Sequence, residues 1–146
     1  MSQVYSTAYK SVLRAVGDVV KDIQSTRTDL AIRYWAWEDR VDEEKLPAET
    51  LIGVNGFSFQ ENLGQWVVRF GITISTFDDA NLLIEAELID SLHDAFGEKM
   101  KISVFDPNTA EIINELASVH FEVMPMGQSQ YRNYRTIGIE ALRTGT

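Results

Sequence analysis

His93 and His120 are the only imidazoles in this chain, and it has no cysteine. Catalysis or metal binding would have to be built from these two, from carboxylates and from hydroxyls. His120 and Glu122 lie two apart on what reads as one strand, so they share a face. With Asp106 beside them they offer a cleft for a metal or small ligand, as in a small enzyme or ligand-binding domain. Two ligands are fewer than a structural zinc site uses, and a solvated pair explains the same residues. His93 falls at the edge of an apolar helical stripe, which suits a packed or interfacial histidine. There is no His-x-x-x-His or His-x-His spacing and no Gly-x-Ser-x-Gly elbow. Gly53, Gly56 and Gly64 match neither a phosphate loop nor a dinucleotide fingerprint. Asp78 and Asp79 precede an apolar-periodic segment and suit helix capping better than metal ligation. The residues point away from an enzyme, and no metal or cofactor is expected.

The cations raise a different chemistry. The stretch QYRNYRTIGIEALRTG, Gln130 to Gly145, carries Arg132, Arg135 and Arg143 against one acid, Glu140, in a chain of formal net charge -9. Three arginines without a basic run are too few to neutralise a phosphate backbone. Tyr131 and Tyr134 interleave with them like a stacking surface for single strands, although aromatics are common on strands in any case. Arginine forks pair well with carboxylates and are enriched at protein interfaces. Acids are at hand: Asp78 to Glu98 holds seven of them and no lysine or arginine, with Glu87, Asp90 and Asp94 on its polar side. A second acidic stretch runs from Glu38 to Glu49. Complementary patches on one chain permit head-to-tail association, and that geometry gives rings when the rotation closes. Neutralisation within the monomer is the other reading of the same charges.

The elements that position these groups follow from periodicity. Tyr9, Val12, Leu13, Val16, Val20 and Ile23 fall at three-and-four spacing, predicting an amphipathic helix over Ser6–Ser25 with Ser6 or Thr7 as its cap. Gly17 either weakens it or admits a close neighbour. Leu30–Trp37 reads as a strand. Residues 38–62 read as a long, weakly patterned insertion, with short strand pieces near 50–54 and 57–60. In GQWVVRFGITIST, Trp66, Val68, Phe70, Ile72 and Ile74 alternate with largely polar residues, which makes a strand with one face on a core. A second helix runs from Asp78 or Asp79 to about Phe96, its apolar face being Leu82, Ala86, Leu88, Ile89, Leu92 and Phe96. Lys101–Phe105 is a short strand, and Thr109–Ser118 is a helical turn or a loop. Val119–Met124 and Arg132–Arg143 form a hairpin. This order predicts an α+β fold: a mostly antiparallel sheet, two helices packed on one face, and a long insertion between early strands.

At 146 residues the chain is expected to be one domain, large enough to hold a core without disulfide or metal. The opening MSQVYSTAYK has no basic-then-apolar pattern, so no secretory signal is expected. No apolar run approaches the roughly 18 residues of a membrane span.

The element order, the length and the closing YRNYRTIGIEALRTG strand resemble the tail terminator and tail completion proteins of long-tailed bacteriophages. The likeness covers nearly the whole chain and rests on pattern, since that family has no diagnostic short motif. It implies a non-enzymatic virion component of the tail or neck, put together in the host cytoplasm. Subunits of that kind form a ring, usually of six, that caps the tail tube and joins the tail to the head–tail connector. The tail tube protein, a sheath protein and the connector are then the partners, and DNA passes only as cargo through the lumen. A head-completion or connector protein is the neighbouring reading. In the tail-ring reading, Arg132, Arg135 and Arg143 are expected to contact a neighbouring subunit or the tube protein, with Trp35, Trp37, Phe57 and Phe59 as further anchors or as core.

Overall fold

The computed structural model describes residues 4–37, 46–129 and 132–143. In chain order these form α1 (Val4–Thr26), β1 (Ile32–Tyr34), β2 (Thr50–Asn62) and β3 (Gln65–Phe77). A 3-10 turn (Ala80–Leu82) then leads into α2 (Leu83–Phe96), β4 (Lys101–Phe105), β5 (Ile112–Val123), β6 (Gly127–Gln128) and β7 (Arg132–Arg143). The fold is α+β, and one sheet runs in the order β1-β2-β3-β7-β5-β4, with β6 paired to β7. Among the described residues only the short β1–β2 pair is parallel.

Side chains of α1 reach strands at both ends of this order. Tyr5 donates its hydroxyl to the Phe57 carbonyl on β2 (3.2 Å), and Gln24 donates to the Ile32 carbonyl on β1 (2.7 Å). At the other end the Ser11 hydroxyl accepts the Phe105 N–H of β4 (3.1 Å). The sheet therefore curls, and α1 occupies backbone groups that an open edge would offer to another strand. One hydrophobic cluster joins Val12, Val16 and Val20 of α1, Leu88, Leu92 and Phe96 of α2, and Val68, Phe70, Ile72 and Ile74 of β3.

Several expectations change at this level. Within the expected insertion, residues 50–62 form a full strand paired to β3, while 38–45 lie outside the described residues. Glycines that resemble loop punctuation have other reasons here. A Cβ on Gly53 would meet the Trp35 carbonyl oxygen at 1.8 Å, so only glycine allows that crossing. Gly56 (φ 76) sits at the bulge that shifts the β2–β3 register. The segment expected as a helical turn or loop is largely strand: β5 begins at Ile112 and pairs with β4. Ser6 and Thr7 lie inside α1 rather than capping it.

Gly17 does admit a close neighbour, since a Cβ there would come within 2.9 Å of the Tyr34 ring. The Tyr34 hydroxyl donates to the Leu13 carbonyl (2.7 Å). Burial, with the neighbouring Tyr9 as the second cause, pushes this phenol from 10.0 up to about 12. The fold thus favours neutral Tyr34. That contribution to stability is complete below pH 10.0 and is lost as pH rises through about 12. Denaturant titrations across this range are expected to show less alkaline loss for Tyr34→Phe than for wild type; equal loss would contradict the assignment.

Candidate interaction surface

Of the three arginines on β7, Arg132 is 4% exposed. Its Nε donates to the Ser75 hydroxyl (2.7 Å) and one terminal nitrogen to the Pro47 carbonyl (2.9 Å). The other terminal nitrogen donates to the carbonyls of Glu49 and Ser75. Arg135 reaches Glu85 of α2 through Nε (2.7 Å) and the Met124 carbonyl through a terminal nitrogen (2.8 Å). Arg132 is thus engaged within the chain, and Arg135 makes the neutralisation within the monomer that is the other reading of these charges. The middle of β7 explains why: Ile137, Ile139 and Ala141 are anchored in the core, and the strand lies between β3 and β5 rather than at a sheet edge. Arg143 is exposed, and it donates to the Gly64 carbonyl at the tip of the β2–β3 hairpin (3.3 Å).

The aromatic candidates are likewise engaged within the chain. Phe57 and Phe59 are half-buried and stack edge-on against Tyr5, while Phe59 also meets Trp66. Together they fasten α1 to the hairpin. Trp37 donates Nε1 to the Thr73 carbonyl (3.2 Å) and lies edge-on to Tyr134. Trp35 is half-buried beside the Gly53 crossing.

The residues with metal or acid–base chemistry are scattered. His120 and Glu122 do form a pair (3.1 Å), with both side chains exposed. His120 lines a concave groove of about 570 Å³ on the sheet, over Gly71 and Gly138 and beside the Arg69–Glu140 ion pair. Asp106 is elsewhere: its carboxylate accepts the N–H groups of Asn108 and Thr109 in the β4–β5 turn. His93 packs edge-on against Phe121, with 4.9 Å between ring centroids. Asp79 caps α2, accepting the N–H groups of Ile84 and Glu85 at 3.0 Å each. Among the described residues no group of three or more potential ligands could hold a metal ion.

Two surfaces carry charge with few partners. On α2, Leu83, Glu87, Asp90 and Asp94 recur at i, i+4, i+7 and i+11, and all are exposed. Glu87 pairs with Arg27 (2.9 Å); Asp90 and Asp94 have no ion pair among the described residues. On α1, Lys10, Arg14, Gly17 and Lys21 repeat the same spacing. None of those three cations has an ion pair among the described residues, and Arg14 lies over the Phe105 ring at 4.0 Å.

The sequence reading missed Leu63. It forms the hairpin tip with Gly64, both residues in the left-handed region (φ 51 and 78), and its relative exposure is 101%. A two-residue turn with both φ values positive favours Asn-Gly or Asp-Gly. A leucine in that place, in the run ENLGQ, was the available signal. No protein-family model matches the chain, and no curated protein matches it.

Proposed function

We propose that this chain is a structural assembly subunit, of the kind that caps a bacteriophage tail tube as a ring and joins it to the head connector. In that reading the two helices cover one face of the sheet.

The observation that carries the assembly reading is Leu63. A left-handed leucine costs its own fold on the order of 1 kcal/mol, and a fully exposed one recovers nothing by burial. A residue unfavourable for the monomer has its use outside the monomer. The resemblance in element order supplies the choice of a phage ring among assemblies in general, and the α+β fold with its mostly antiparallel sheet agrees with it.

The test is Leu63→Asn, followed by sedimentation velocity and negative-stain imaging. Asparagine tolerates the left-handed region, so the variant is expected to gain roughly 0.5–1 kcal/mol in folding stability. At the same time it should assemble more weakly than wild type, which should form rings. Wild-type protein that stays monomeric at every concentration and beside tube protein would sink the proposal. So would a Leu63→Asn variant that assembles as well as wild type.

A further inference from the structure

We infer, resting on the assembly reading above, that copies of this chain meet helix to helix: the acidic row of α2 on one copy lies against the basic row of α1 on the next. The two rows match in position as well as sign. Leu83–Glu87–Asp90–Asp94 and Lys10–Arg14–Gly17–Lys21 have identical spacing, so each forms a straight stripe of about 16 Å along its helix. The opposed charges attract during encounter and fix register in the complex.

The rows also match in shape. Gly17 and Tyr34 help form a groove of about 350 Å³ whose apolar wall includes Leu13 and Val20. Arg14 and Lys21 flank it, and Asp18 is the one acid in its lining. Leu83, 61% exposed, heads the acidic stripe as an apolar knob. With the two rows antiparallel and in register, it comes against the groove end lined by Lys21, while Asp90 and Asp94 meet Arg14 and Lys10. The contact is heterologous, since donor and acceptor are different surfaces of one chain, and it therefore propagates from copy to copy, as a ring when the rotation closes. The α1 row also offers more cations than β7, of whose three arginines Arg143 alone is exposed. Arg132 and Arg135 are held within the chain, whereas Lys10, Arg14 and Lys21 form no ion pair among the described residues.

Two variants test the pairing, Lys10→Glu/Lys21→Glu and Asp90→Lys/Asp94→Lys, all four positions being exposed. Each alone places like charges across the contact and is expected to weaken self-association by at least about tenfold at low salt. A one-to-one mixture restores opposite signs at every junction, so light scattering should show assembly returning toward wild type. Association unchanged in either variant while Leu63→Asn abolishes it would overturn this contact and leave the assembly reading standing. Loss in both variants without recovery on mixing would also overturn it, assigning these faces to a different partner, such as a basic or acidic segment of another protein. A wild-type chain that never associates would overturn both conclusions.

Discussion

Replacing Arg132 with methionine is expected to remove about 3–5 kcal/mol of folding stability, measured by urea denaturation. Few single changes in this chain should cost more. The guanidinium is 4% exposed and serves as one donor set for three carbonyls, those of Pro47, Glu49 and Ser75, and for the Ser75 hydroxyl. These acceptors come from separate parts of the chain, the segment entering β2 and the end of β3. Methionine fills part of the space but leaves that set without its donor, and unmet buried polar groups cost about 1–3 kcal/mol each. A lysine keeps the charge but concentrates it on one nitrogen, so Arg132→Lys should recover less than half of the loss. Against a total stability of about 5–15 kcal/mol the methionine variant is close to unfolding in the cell. The measurement also separates two roles. Loss of less than about 1 kcal/mol, together with weakened assembly, would return Arg132 to the interface.

The arginines show where sequence reading reaches its limit. Alternation made β3 and β7 legible because a period of two on one apolar face is a strong signal: Val68, Phe70, Ile72 and Ile74 are buried as expected. The α1 stripe was legible for the same reason at period 3.6. On the opposite face of β3 the polar residues looked solvent-facing, yet Thr73 is 5% exposed and Ser75 0%. Neighbouring strands and loops cover them. Thr73 shares its hydroxyl with Thr136 (3.0 Å) and Asn55 (3.2 Å), and Ser75 holds Arg132. A polar residue whose partner lies more than fifty positions away cannot be told from a solvated one by local pattern. The same limit hid Glu85. The helical wheel chose Leu82 and Ala86 for the buried face, but Leu82 adopts φ 56 before the helix begins and Ala86 is exposed. Glu85, 2% exposed, occupies the buried side because Arg135 meets it there. Of the interface residues drawn from sequence, Glu87, Asp90, Asp94 and Arg143 are exposed, Arg135, Trp37, Phe57 and Phe59 are half-buried, and Arg132 is buried. The exposed residues' lack of apolar periodicity is a property that local reading handles well.

Removing either partner of Glu85–Arg135 alone is expected to cost about 3–5 kcal/mol, whereas removing both costs far less. The carboxylate side chain is 3% exposed and the guanidinium side chain 20%, so a single deletion leaves a buried charge without its counterion. Glu85 Oε1 accepts from Arg135, but Oε2 meets no donor among the described residues. The pair therefore falls short of full satisfaction, the condition under which attraction repays desolvation. Glu85→Leu/Arg135→Met should accordingly lie within about 1–2 kcal/mol of wild type, giving a coupling energy of several kcal/mol in a double-mutant cycle. High salt should change this coupling little, unlike that of the proposed α1–α2 contact between copies. The position of the pair gives it a second consequence. It ties the first turn of α2 to β7, two residues from Leu83, and Asp79 caps the same turn from below the helix. A single deletion should loosen that turn and weaken assembly along with folding, while the paired apolar replacement should restore both. Recovery of folding without recovery of assembly would mean that the charge of Glu85 or Arg135 acts between copies, and that the ion pair is more than a fastening within one chain.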